Sequence, residues 1–171
     1  MKFCRQYLLL VLVLPLLFAF SGRESKDYTY KTIFIYNFIK YIEWPSAHAD
    51  FTIAIYQGND DVQDAFKQMA LKKSGTTQSY TIKNISNLNE ASTAQVLFIP
   101  NEQSAVLPEA AALAKEKPVL IVTEKDGLIK RGSGINFIVV DGKLRFELNR
   151  KSLDAAGLKV SSSLLNLAIL V

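Results

Sequence analysis

The side chains able to do covalent or acid–base chemistry are few in this chain. Its one histidine, His48, sits in a Pro-Ser-Ala-His-Ala-Asp loop, and nothing in the sequence ties it to a nucleophile. A Ser-His-Asp triad needs a positioned imidazole, so a solvated loop histidine is the preferred reading. Zinc would have to be held by one histidine and carboxylates, a rare ligand set. No Walker-type loop and no G-x-G-x-x-G is present. Gly132-Ser133-Gly134 is not a nucleophile elbow, because it leads into a hairpin and no helix follows; its glycines free the backbone to start a strand. Asp60 and Asp61 follow a strand-like run, the place where parallel sheets present ligands, so a metal or phosphoryl site is one reading. No third acid or lysine stands at a motif spacing, and helix capping with dipole complementation is favoured. Ser161 to Ser163 could seat an anion at a helix start, but capping again suffices. Asn84-Ile85-Ser86 fits a glycosylation acceptor, a short pattern that matters only in a eukaryotic secretory route. The expected catalytic, cofactor and metal residues are therefore none.

The single cysteine, Cys4, falls in a segment that reads as an export signal. Lys2 and Arg5 supply the positive start, Tyr7 to Phe20 is a continuous apolar run, and Ala19 and Ser21 are the small residues before a cut. The run is 14 residues long and is interrupted by Pro15, shorter than the roughly 18 to 20 needed to span a bilayer as a helix. The expectation is a signal peptide over residues 1–21 and an exported chain from about Gly22, with no stable membrane insertion after cleavage. That chain has no disulfide, no thiol nucleophile and no thiolate ligand, so it must rest on its hydrophobic core. Of 171 residues, 49% are apolar and 21% charged, which excludes a disordered tail. Without Lys2 and Arg5, 18 basic residues face 16 acidic ones, and there is no basic block, so nucleic acid is not an expected partner.

The elements that must position any functional side chain read as follows. Residues 28–44 form a helix stopped by Pro45. At about 100° per residue, Phe34, Ile35, Phe38, Ile39, Tyr41 and Ile42 fill its core arc. Phe51 to Tyr56 is a strand, and Asp60 with Gln63 resembles a capping box for a helix through Leu71. Ser79 to Lys83 is a second strand. Ala94 to Ile99 and Pro118 to Thr123 are nearly all apolar strands on either side of an Ala-rich helix over 103–116. Strands alternating with helices, two of them fully apolar, predict an α/β fold: a mostly parallel sheet flanked by helices on both faces. It closes with a C-terminal antiparallel β-hairpin, because Asp141-Gly142 joins two strand-like runs, Ile135 to Val140 and Lys143 to Leu148. Counting outward, Val139 faces Leu144, Phe137 faces Phe146 and Ile135 faces Leu148, an apolar face for the core. Val140 faces Lys143, Ile138 faces Arg145 and Asn136 faces Glu147 on the other side. Asn149 caps a short helix stopped by Gly157, and Ser161 caps a last helix to about Ile169. There are no repeats and no linker, so residues 22–171 are expected to be a single domain.

Two surfaces stand out. The off-core side of the opening helix carries Ile33, Tyr36, Asn37, Lys40 and Trp44, where an ordinary surface helix is polar. Trp and Tyr suit a contact surface, and burial under the loop after Pro45 or against the C-terminal helix is the alternative. The second is the strip Asn136, Ile138, Arg145 and Glu147 on the hairpin. If exposed, Arg145 and Glu147 make an ion pair of at most about 1 kcal/mol. If covered, they must pair or bind something, and an arginine beside an apolar residue suits a carboxylate or a partner's backbone.

Three segments resemble a known family. YKTIFIYNFIKYIEWP (30–45), GINFIVVDGKLRFELN (134–149) and AGLKVSSSLLNLA (156–168) are similar, in order and spacing, to the opening helix, hairpin and closing helix of the YfiR-like proteins. The resemblance implies a compact, Rossmann-like α/β domain in the periplasm. It further implies a repressor that binds the periplasmic sensor domain of a membrane-bound diguanylate cyclase, lowering cyclic di-GMP and biofilm formation. The matched positions include Tyr36, Asn37, Trp44, Pro45, Asn136, Arg145 and Glu147, none with an implied catalytic role. The better-studied branch carries disulfide-forming cysteines linked to redox sensing, and this chain keeps none past the leader. The expectation is a non-enzymatic, exported regulator that docks on the external sensor domain of an inner-membrane signalling protein, with no cofactor. A homodimer is left open. A periplasmic small-molecule receptor, with a pocket at the strand ends near Gly58 to Asp61, is the alternative, and a metal enzyme using Asp60 and Asp61 is a third reading.

Overall fold

A computed structural model describes the backbone of residues 22–46 and 49–171, and the side chains from Tyr28 onward apart from Glu116. The expected leader and His48 lie outside the described residues. Helix α1 (Gly22–Tyr41) leads into a short strand β1 (Ile42–Glu43). Strand β2 (Asp50–Tyr56), helix α2 (Asp60–Lys73), β3 (Ser79–Ile85), β4 (Val96–Ile99), α3 (Leu107–Glu116), β5 (Leu120–Thr123), β6 (Ile135–Val140) and β7 (Lys143–Leu148) follow. The chain ends with α4 (Arg150–Ala155), β8 (Lys159–Val160), α5 (Ser162–Leu165) and β9 (Ile169–Leu170), and a 3₁₀ segment lies in each of the β3–β4, β4–α3 and β5–β6 connections.

Seven strands form one sheet in the order β3-β2-β4-β5-β6-β7-β9. Every neighbour pair is parallel except β6–β7. This is the expected α/β, Rossmann-like arrangement. The strands Val-Leu-Phe-Ile and Leu-Ile-Val-Thr are buried at every position, because each has helices over both faces. One face packs Ile53, Val96, Phe98 and Val122 against α1 and α2 through Ile35, Phe38 and Phe66. The other packs Leu97, Ile99 and Ile121 under α3 and the 3₁₀ turns, through Leu107, Ala110 and Leu128.

The hairpin has the register read from its sequence, residue for residue. Asp141 and Gly142 both have positive φ (50° and 71°), as a two-residue turn matched to strand twist requires. Its apolar face is only partly core, however. Ile135, Phe137, Phe146 and Leu148 are buried, yet Val139 is 71% exposed. Strand β5 pairs only with Ile135 and Asn136, so the hairpin outruns the sheet and, past Asn136, β6 is paired on its β7 side alone.

Several boundaries differ from the sequence reading. The opening helix ends at Tyr41, not at 44, because Ile42 pairs with Val160 in a two-stranded sheet of β1 and β8. The last helix stops at Leu165, and Ile169–Leu170 joins β7 as a parallel edge strand instead. The helix expected over 103–116 begins as a 3₁₀ turn, Asn101–Val106, before α3. Helix α2 is capped one residue earlier than expected: the Val62 N–H donates to Asn59 Oδ1 (3.0 Å), and Gln63 Nε2 donates to the Gly58 carbonyl (2.9 Å).

Candidate docking surfaces

The hairpin strip is built on a buried polar chain. Asn136 is 0% exposed, and a buried amide must find partners. The Thr123 hydroxyl donates to Asn136 Oδ1 (2.7 Å), and Asn136 Nδ2 donates to Glu147 Oε2 (3.0 Å). Ser133 Oγ lies 2.9 Å from Thr123 Oγ1 and donates to the Ile135 carbonyl (2.7 Å). Among the described residues no buried side-chain polar atom lacks a partner. Glu147 is half-buried and Arg145 exposed. The two form no ion pair: Glu147 is held across the hairpin by Asn136, its directly opposite residue, while Arg145 faces the half-buried Ile138. Arg145 is left with no recorded ionic partner among the described residues.

The opening-helix set is placed elsewhere. Phe34 and Phe38 of α1 pack on Phe137 and Phe146. Side chains alternate across a strand, so Asn136, Ile138, Arg145 and Glu147 project from the opposite face of the sheet. Ile33 is exposed beside α2. Tyr36 meets Tyr80 edge-on at 5.8 Å, with Lys40 and Lys73 5.6 and 4.8 Å from its ring centre. Burial, and then the neighbouring Tyr36, push the Tyr80 phenol above its ordinary value of 10.0. Asn37 is half-buried. Trp44, also half-buried, packs edge-on against Phe51 at 5.3 Å, and its Nε1–H reaches the Ile39 carbonyl at 3.4 Å. Helix α2 lies beside the Ile33–Tyr36 side and covers it only in part, since Ile33 is 46% exposed.

One cluster has no counterpart in the sequence reading. At the end of β5, the Glu124 carboxylate accepts from Tyr28 Oη (2.9 Å), Lys31 Nζ (2.8 Å) and the Asn101 N–H (3.0 Å). The one available signal was an isolated glutamate directly after the apolar Pro118 to Thr123 run.

At the strand-end position read for a small ligand, the Gly58 backbone is tied to the Asn84 side chain. The Gly58 N–H donates to Asn84 Oδ1 (2.9 Å), and Asn84 Nδ2 donates to the Gly58 carbonyl (3.1 Å). A groove of about 580 Å³ between α1 and α2 is lined by Ile33, Asp61, Ala65 and Met69, so it reaches the end of the Gly58 to Asp61 segment. Asp60 and Asp61 are exposed in the first turn of α2. Among the described residues no group of three His, Cys, Asp or Glu is placed to hold a metal ion, and no helix is long and apolar enough to cross a membrane.

A search of curated proteins found no match to the chain. A family model described as YfiR/HmsC-like matches residues 28–169, from the first described side chain of α1 to the last strand and enclosing the hairpin and the closing helix, and the chain therefore belongs to the YfiR/HmsC-like family.

Proposed function

We propose that this protein is an exported, non-enzymatic regulator that docks on the external sensor domain of an inner-membrane diguanylate cyclase and represses it from the periplasm, after removal of a signal peptide over residues 1–21. Family membership supports the regulatory class. The observation that carries the docking reading is the separation of Arg145 from Glu147. The carboxylate is anchored from inside the sheet by a buried amide, so the guanidinium beside it stays available. A guanidinium next to a half-buried isoleucine offers a fork for a partner's carboxylate and an apolar contact at its edge. Repression requires only that the regulator bind one sensor conformation better than the other. Taking the sensor from 1:99 to 99:1 needs about a 10⁴-fold preference. Ile33, Tyr36, Asn37 and Lys40 of α1, and Trp44 just after β1, lie across the sheet from this strip, so the strip is assigned the orienting contact.

The test is binding, followed by calorimetry, to the purified external domain of a membrane diguanylate cyclase from the same organism. Arg145→Ala should weaken binding by about tenfold or more, with an unchanged circular dichroism spectrum, and should raise cyclic di-GMP in cells. Unaltered affinity in both Arg145→Ala and Glu147→Ala removes the strip from the interface.

A further inference from the structure

We propose that the open edge of β6, where the hairpin runs past the end of β5, takes an added strand: an extended segment of a partner protein, with apolar and basic side chains, that pairs with Phe137–Val140. Strand β5 ends at Thr123, opposite Asn136, and β6 continues to Val140, about 13 Å further at strand rise. The register says which main-chain groups are left over. Val140 and Lys143 close the two-residue turn and exchange hydrogen bonds, and bonded pairs alternate from there along the hairpin. Val139, opposite Leu144, is therefore at a non-bonded position. Its N–H and C=O point away from β7, to the side that β5 has vacated. Among the described residues no other strand pairs with Val139 and no loop or turn bond reaches its main chain. Val139 is 71% exposed and Val140 39%. Open sheet edges are ordinarily blunted by charge, proline or a bulge. Phe-Ile-Val-Val carries neither charge nor proline, and its register has no bulge.

The cavity at this place selects the occupant. It holds about 220 Å³ and is lined by three consecutive residues, Phe137, Ile138 and Val139. Side chains alternate across a strand, so a hollow that touches three in a row meets the strand's edge and not one face alone. The ligand that offers a donor and an acceptor at strand spacing to such an edge is another main chain, with alternate side chains seated in the hollow. Lys31, Glu124 and Asp126 complete the lining. Lys31 is taken up by Glu124, and among the described residues no cation lies within ion-pair distance of Asp126. One ammonium against two carboxylates leaves this lining one negative charge, so a basic side chain of the segment belongs beside Asp126. A second copy would bring to the edge only its own uncharged Phe-Ile-Val-Val. Arg145 does not line the cavity, and the inference does not rest on the sensor reading.

Fluorescence anisotropy of the exported protein with a labelled, end-blocked hexapeptide, Lys-Val-Thr-Val-Thr-Lys, tests it. The wild type should bind this peptide in the high-micromolar to millimolar range. A version N-methylated at the central Thr and Val keeps every side chain but places a methyl against β6 in either register, and should bind about tenfold more weakly or worse. Exchanging its lysines for glutamates should weaken binding several-fold, less so at high salt. Asp126→Lys should reverse that preference. Val139→Pro deletes the outward N–H and spares the β7 ladder, so it should abolish binding with an unchanged circular dichroism spectrum; the methylated peptide makes the same comparison on the wild type. A wild type that leaves the peptide unbound at about 1 mM protein overturns the proposal, as does equal binding of the methylated peptide, or an Asp126→Lys variant that still prefers lysine. A wild type that self-associates, and stops doing so in Val139→Pro, would make the occupant a second copy and overturn it too. Arg145→Ala should leave peptide binding intact, which separates failure here from failure of sensor docking.

Discussion

The Lys31 ammonium lies 2.8 Å from the Glu124 carboxylate, and both side chains are shut away from water, at 10% and 4% exposure, where α1 crosses the end of β5. Tyr28 and the Asn101 N–H complete the carboxylate's coordination. The pair fixes the middle of α1 against the sheet, and α1 in turn covers the root of the hairpin through Phe34. A charge buried this deeply is tolerated only while its partner remains. Lys31→Met or Glu124→Gln alone should destabilise the protein by about 3 kcal/mol in urea unfolding, since each breaks a buried pair by removing one member. The double variant should regain part of that loss. Single variants within about 1 kcal/mol of wild type would show that water reaches the pair.

Trp44 has a packing duty as well as a half-exposed surface. Its ring meets Phe51 edge-on, and its Nε1–H caps an α1 carbonyl. Trp44→Ala should lower stability by about 2 kcal/mol, below the value for a fully buried tryptophan because the ring is only partly covered. Trp44→Phe should recover much of it. A neutral Trp44→Ala would mean that the ring contributes nothing to the core edge. Any loss of sensor binding in Trp44→Ala has therefore to be compared at matched folded fraction.

The raised phenol of Tyr80 sets a direction for alkaline stability. Its proton is held by burial first and by the neighbouring Tyr36 second, and the hydroxyl donates to Gln78 Oε1 at 2.9 Å. The unfolded chain releases this proton near its ordinary value of 10.0, while the folded chain keeps it to higher pH. The stabilisation is full below that value and is lost as pH rises from it through the folded value. Urea midpoints should be flat approaching pH 10 and fall beyond it, and Tyr80→Phe should make the fall shallower. An identical alkaline slope in Tyr80→Phe would assign the decline to other groups.

What was legible in the sequence was what local chemistry decides. The hairpin's register follows from Asp141-Gly142 and the period-two alternation around it, and the buried strands follow from their unbroken apolar runs. What was not legible depends on distant chain. Ile42 leaves the helix because Val160 is there to pair with it. Val139 is exposed because β5 stops two residues into its pairing with β6. Glu124 finds Tyr28 and Lys31 from 96 and 93 residues away, and no periodicity announces that. The strip is the mixed case: alternation placed Asn136 opposite Glu147, but only the position of Thr123 under Asn136 shows that the amide, and not Arg145, holds the carboxylate.

That arrangement makes Asn136 the residue whose loss should separate folding from docking least cleanly, and Glu147 the one that separates them best. Asn136→Ala removes the acceptor of the buried Thr123 hydroxyl and the donor to Glu147 at once. It should cost about 2 kcal/mol and free Glu147 to swing toward Arg145, weakening sensor binding with it. Glu147→Gln keeps an oxygen for the Asn136 amide to donate to, so stability should stay within about 1 kcal/mol of wild type. If the partner presents a cation to Glu147, affinity falls in Glu147→Gln; if it presents only a carboxylate to Arg145, affinity is unchanged or rises as the neighbouring negative charge is lost. Either outcome names the sign of the partner's surface, whereas a stability loss in Glu147→Gln as large as that in Asn136→Ala would show that the charge of the carboxylate, not its hydrogen bond, holds the hairpin root together.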